Sequence, residues 1–251
     1  MKTWVKLAVA TALVGTTMQA LSAEGRAVTP EGMRALKDIG AALRDLDAYE
    51  VQMKVTTRVA TEDGKYRDVV GNVHYIVEPP NHLFARLEEG GAERRVFYDG
   101  QTITVYSPAE RRYARIEAPG TIRTLIETVK ANRSIELPVA NLFEWGTPGG
   151  PLSNVDRGRY EGAGVIDGRE CESYSFNEAA ITWDVWVDGE HLPCKLVRVD
   201  TEGAGLQGYR AEMNWKPEAQ IADDVFTFAP QAADTRVELS EIARGGAGTM
   251  P

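Results

Sequence analysis

The spacing of apolar residues along the chain changes period twice. Thr29-Pro30-Glu31 supplies an N-cap residue, a proline at the first helical position and an acid in the first turn. Met33, Leu36, Ile39, Leu43 and Leu46 then recur every three or four residues, which predicts a helix over 30–46 with one apolar stripe. From Tyr49 the period is two. Val51, Met53, Val55, Thr57 and Val59 alternate with Gln52, Lys54, Thr56 and Arg58, the signature of a half-buried strand. Glu62-Asp63-Gly64-Lys65 supplies a turn, and further strands are expected over 69–77, 83–88, 94–98, 101–106 and 112–117. Pro79-Pro80, Asp99-Gly100 and Ser107-Pro108 punctuate them, giving an antiparallel meander.

Helical spacing returns at Ile122, Leu125, Ile126 and Val129, and a second short helix is expected around Val139, Leu142 and Phe143. Gly146-Thr147-Pro148-Gly149-Gly150-Pro151 reads as a loop. No Gly-Lys-Ser/Thr follows it, so it lacks the signature of a phosphate-binding loop. Strands resume over 157–166, 169–177, 181–188, 195–200 and 208–215, and a last short strand is expected over 225–228. About ten strands with few helices do not fit a parallel α/β plan. The expected fold class is mainly β (α+β): a single curved antiparallel sheet, hiding its apolar face by bending into an unclosed barrel covered by helices.

The first residues change the compartment. Lys2 and Lys6 precede a short apolar run over 7–15, and small residues follow around Ala20 and Ala23, the layout of a cleaved secretory signal. The run is too short to span a bilayer, which takes about 20 residues, so no stable membrane insertion is expected. The resulting division is a signal over 1–23, one domain over 24–230 and a flexible C-terminal tail over 231–251. Losing the signal removes two lysines and moves the formal charge from -9 to -11. An acidic surface of that size repels phosphate backbones, so nucleic acid is not an expected partner. Cys171 and Cys194 are the only cysteines, and export into an oxidising compartment favours a disulfide between them over two buried thiols.

Candidate chemistry is thin. His74, His82 and His191 belong to no metal-spaced set, and no nucleophile elbow is present. Asp184, Asp188 and Glu190 form the best carboxylate cluster, but alternation turns Asp184 and Asp188 away from Trp183 and Val185, toward solvent. No catalytic residue, metal or cofactor is therefore expected, and the chain does not read as an enzyme. The aromatic residues are more informative. Tyr174, Phe176, Trp183, Val185, Tyr209, Met213 and Trp215 fall on the expected inner face of consecutive strands, where they are either plain core or the wall of a ligand cavity. Arg58 and Arg86 are candidates to pair with an anionic headgroup at the rim.

The order of elements, with Tyr98-Asp99-Gly100-Gln101-Thr102-Ile103-Thr104-Val105-Tyr106, Ile135-Glu136-Leu137-Pro138, Trp183-Asp184-Val185-Trp186-Val187-Asp188, His191-Leu192-Pro193-Cys194-Lys195 and Asp223-Asp224-Val225-Phe226-Thr227-Phe228, resembles the LolA/LolB-like superfamily of periplasmic lipoprotein carriers. Within it the chain is most similar to the predicted periplasmic family called domain of unknown function 2092. The resemblance implies a periplasmic half-barrel with a hydrophobic cavity for acyl chains. It also implies a carrier for a lipid or a lipidated protein; the alternatives are an envelope structural or signalling module that binds a protein partner and, third, a hydrolase of envelope components. No carrier's contact residues map onto particular positions here.

Overall fold

The computed structural model describes residues 28–244 apart from 62, 132–136, 146, 148, 149, 151–153, 180 and 201–206. The signal expected over 1–23 therefore lies outside the described residues.

Thr29 caps the first helix, α1 (Pro30–Arg44), its hydroxyl accepting from the Gly32 amide at 3.1 Å. The helix ends two residues earlier than the apolar spacing suggests. Ala35, Leu36 and Ile39 are buried, whereas Met33, on the predicted stripe, is 41% exposed. The meander follows as β1 (Tyr49–Ala60), β2 (Tyr66–Glu78), β3 (His82–Glu89), β4 (Ala92–Tyr98), β5 (Thr102–Ser107) and β6 (Arg112–Glu117). After α2 (Ile122–Ala131) and a 3-10 helix over Ala140–Glu144 come β7 (Arg157–Ile166), β8 (Arg169–Glu178), β9 (Ile181–Val187), β10 (Pro193–Asp200) and β11 (Gln207–Pro217).

All these strands join one sheet, and β11 returns to pair with β1. With a short last strand, β12 (Thr235–Arg236), the order is β12-β6-β5-β4-β3-β2-β1-β11-β10-β9-β8-β7, and β7 and β12 do not meet, so the barrel is unclosed as expected. Directly paired residues share a face. Val51, Met53 and Val55 of β1 thus stand beside Trp215, Met213 and Ala211 of β11, and beside Tyr75, Val73 and Gly71 of β2. This is the concave face. It holds the core, together with Leu83, Val96, Ile103 and Leu125.

Two expectations for the C-terminal part fail. The stretch expected as a strand over 225–228 forms a 3-10 helix, Asp223–Phe226, on the convex face. Its aromatic residues are satisfied by stacking rather than by strand pairing: Phe226 lies on His82 at 5.0 Å, and Phe228 sits among the rings of Phe97, Tyr106 and Tyr113. The chain expected to be a flexible tail from 231 is anchored through 244. Thr235–Arg236 pairs in parallel with β6 as β12, and α3 (Leu239–Arg244) then buries Leu239 and Ile242 in the core. Arg112 meets Glu241 at 2.7 Å, and Arg94 donates to the Ile242 carbonyl at 3.2 Å. Residues 245–251 lie outside the described part. Two short amphipathic turns among polar residues give little periodic signal, and tertiary packing decides them.

At the opposite edge, α1 rests on β7 where two glycines meet. A side chain at Gly32 would approach the Gly158 carbonyl within 3.1 Å, and one at Gly158 would strike the Phe176 ring. Cys171 and Cys194 form the expected disulfide, which joins β8 to β10 across the intervening β9. Arg169, beside it in sequence, reaches over to donate to the Met213 carbonyl of β11.

Two consequences are measurable. Gly158→Ala overpacks the buried Phe176 ring and is expected to cost about 1–3 kcal/mol, read as a lower urea midpoint with unchanged m-value. Replacing both cysteines by alanine opens a loop of about 24 residues and is expected to cost about 3 kcal/mol on the chain-entropy account. Equal stability of the reduced and oxidised proteins would show that the bond constrains nothing.

Candidate functional site

An apolar pocket lies between the cover and the concave face. Phe143, at the end of the 3-10 helix, wedges between Tyr75, edge-on at 5.0 Å, and Tyr49 at 6.2 Å. The Tyr75 hydroxyl donates to the Pro138 carbonyl at 2.7 Å, tying the covering segment to the sheet. Beyond this wedge, toward β8–β11, a pocket of about 310 Å3 remains between the cover and the sheet. Asn141 and Trp145 form its cover side, and Glu178, Ile181, Trp183, Leu196, Arg198 and Tyr209 form its sheet side.

Strand register explains this composition. One cross-strand row reads Phe176, Trp183, Arg198, Tyr209 and Thr57 from β8 to β1, and the next reads Tyr174, Val185, Leu196, Ala211 and Val55. The second row is buried throughout and forms part of the core. The first row has an indole, a guanidinium and a phenol side by side. Trp183 stacks on Phe176 at 4.4 Å and meets the Trp145 ring at 5.1 Å, so the apolar wall is held from both layers.

The polar groups of the pocket differ in how they are satisfied. Arg198 is committed to Asp200, two residues along the same strand face, with Nη2 2.8 Å from Oδ1 and Nη1 donating to Oδ2 at 3.3 Å. The Tyr209 hydroxyl is buried and has no hydrogen-bond partner; the Asn141 side chain comes near without reaching bonding geometry. Burial pushes the Tyr209 phenol up to about 12, and Asp200 acts in the same direction while Arg198 opposes it. The group is therefore a neutral hydroxyl at any physiological pH.

Of the seven residues that the sequence marks as a cavity wall, Trp183 and Tyr209 line this pocket. Tyr174, Phe176, Val185 and Met213 are buried in the core. Trp215 packs on Tyr49 at 5.7 Å and donates its indole N–H to the Pro193 carbonyl at 2.7 Å. Arg58 and Arg86 are not at this rim. They project from the convex face and pair with Asp68 at 3.3 Å and Glu88 at 3.4 Å. The pocket residues that the sequence reading missed are Asn141, Trp145, Glu178, Ile181, Leu196 and Arg198.

Other candidate chemistry has structural employment. The Asp188 carboxylate accepts from the Glu190 and Leu192 amides, both at 3.0 Å, and so shapes the β9–β10 turn, where His191 adopts a φ of 62°. Asp184 pairs opposite Ser175 and Val197, away from the concave face. His74 bonds Glu50 at 3.1 Å, and His82 bonds Glu78 at 3.3 Å. Among the described residues, no three His, Cys, Asp or Glu side chains are grouped as a metal site. A second cleft, of about 480 Å3, is polar and lies on the convex face around Gln52, Lys54, Asn72, His74 and Arg86.

Comparison with curated proteins gives no match. Among solved structures the chain is similar to MucB, at 15% identity and a TM-score of 0.44, over 80% of this chain and 64% of MucB. It is similar to LprF from Mycobacterium bovis at 13% identity and a TM-score of 0.47, over 78% of this chain and 98% of LprF. The LolA superfamily protein NE2245 from Nitrosomonas europaea matches at 12% identity and a TM-score of 0.39, over 78% of this chain and 97% of that one. Among the described residues no helix is long and apolar enough to cross a membrane. The family model described as predicted periplasmic protein (DUF2092) matches residues 32–240, and the chain belongs to that family.

Proposed function

We propose that this protein is a periplasmic binding protein that shelters the apolar part of an amphiphile, an acyl chain of a lipid or of a lipidated protein. The supporting observation is the pocket of about 310 Å3 walled by Trp145, Trp183, Ile181 and Leu196, with a few polar groups converging on it. Ligand sites are concave, mostly apolar and oriented by a small number of polar atoms, and about 300 Å3 is the lower end of their usual size. Burying a methylene yields about 0.8 kcal/mol. Eight of them supply roughly 6 kcal/mol, which alone corresponds to a dissociation constant of tens of micromolar, and the cost of association moves it to the millimolar range or weaker. Weak, reversible holding of this kind suits transfer better than storage. Binding here requires no bond to be made or broken.

The test uses three of the pocket's own residues, Trp145, Trp183 and Ile181. Saturable displacement of a fluorescent naphthylamine probe by eight-carbon amphiphiles, with a change in emission from Trp145 and Trp183, is the expected result. Ile181→Trp, which fills the pocket from a half-buried position, is expected to weaken probe binding at least tenfold while leaving the melting temperature within a few degrees of wild type. A protein that binds no probe, or an Ile181→Trp variant that binds as well as wild type, would remove the reading.

A further inference from the structure

The reading above leaves the head of the ligand unspecified, and the polar wall constrains it. Among the described residues two buried side-chain atoms find no hydrogen-bond partner, Asp200 Oδ1 and the Tyr209 hydroxyl, and of these two residues Tyr209 lines the pocket. Buried hydroxyls are ordinarily bonded, and leaving one unmet costs about 1–3 kcal/mol. It stands in the same cross-strand row as Trp183 and Arg198, and the Asn141 side chain is nearby from the cover. A ligand atom that accepts a hydrogen bond here recovers what the protein alone leaves unmet.

The charges of the wall decide which acceptor fits. Arg198 carries the pocket's positive charge, but Asp200 already holds it through two contacts. Glu178 adds a carboxylate to the lining. A carboxylate or phosphate head entering this space would lose its hydration and meet no unneutralised cation, a costly exchange. A neutral carbonyl has little hydration to lose and accepts from a phenol that burial keeps protonated. Volume sets the length. At about 30 Å3 for each small group, the share of a water molecule in the liquid, 310 Å3 accommodates roughly ten heavy atoms.

We infer that the pocket takes a single acyl segment of roughly eight carbons through the neutral carbonyl of its ester or amide, held by the Tyr209 hydroxyl, and that it discriminates against free fatty acids. This rests on the acyl-binding reading above. It makes the ligand an acyl group still attached to its alcohol or amine, and excludes several chains sharing this pocket.

Three probes of similar size separate the possibilities: methyl octanoate, octanoate and 1-chlorooctane, each titrated at pH 7.5 into wild type and Tyr209→Phe. Methyl octanoate is expected to bind at least tenfold more tightly than octanoate. Tyr209→Phe is expected to weaken methyl octanoate about tenfold, one ordinary hydrogen bond, and to leave 1-chlorooctane unchanged. In the absence of ligand the variant is expected to melt no lower than wild type, because the hydroxyl it lacks bonds nothing in the empty protein. If the probes bind but octanoate is the tightest, or if Tyr209→Phe weakens none of them, the carbonyl inference is overturned and the apolar pocket stands. If none of the three binds, the acyl-binding reading fails and takes the inference with it.

Discussion

A sheet of twelve strands with one apolar face is unstable in water until that face is covered, and the bend from β6 round to β7 makes the covering problem one of volume. A flat apolar face can be closed by a layer of helices. A concave one needs side chains long enough to reach its floor, and Phe143 supplies that reach. Its ring meets Tyr75 and Tyr49, while the Tyr75 hydroxyl binds the Pro138 carbonyl two turns of chain away. Each aromatic ring buried in this way contributes on the order of 1.5–3 kcal/mol. The wedge fixes both what is closed and what stays open. On its β2–β5 side α2 and α3 complete the filling with Leu125, Ile126, Leu239 and Ile242. On its β8–β11 side the pocket lies between Asn141 and Trp145 and the sheet.

The concave face is also held by its edges. At β7, α1 descends to within backbone contact of the strand because Gly32 and Gly158 offer no side chains. At β6, the C-terminal segment crosses from the convex side, where Phe228 inserts among three aromatic rings, to the core, where Ile242 is 1% exposed. Open sheet edges invite pairing with other chains. Here one edge is occupied by β12 and α3. The other is shielded at its start by the bridge from Val28 to Gly158 and broken further along by a bulge between Tyr160 and Gly162.

Where the sequence was legible, the reason was periodicity. Strict alternation in β1 and β11 identified both strands and their inward faces, and their register pairs those faces directly. Thr29-Pro30-Glu31 announced α1 because capping is local chemistry. The C-terminal 3-10 helix and α3 were not legible, since each is too short to show a period and is stabilised by partners more than a hundred residues away, such as Arg112 and Arg94. The pocket was half legible. Trp183 and Tyr209 lie in phase with their strands, but Arg198 does not announce itself. In Lys195-Leu196-Val197-Arg198-Val199-Asp200, alternation alone assigns Val197 and Val199 to the apolar side, whereas the register with Trp183 and Tyr209 turns Arg198 inward. Trp145 comes from the covering segment, and nothing in a strand pattern reports what lands on top of it.

The departure from alternation at β10 is what keeps the pocket from being core. Had an aliphatic residue stood at 198, the Trp183 and Tyr209 row would resemble the Val185, Leu196 and Ala211 row beside it, which is buried without remainder. A guanidinium paired along its own strand with Asp200 cannot be folded under Trp145 without desolvating both charges, a penalty of several kcal/mol per ion. Both side chains keep about a third of their surface exposed, and the pocket lies beside them. The space beside the two indoles thus has a charged pair at its margin, where an aliphatic row would have continued the core.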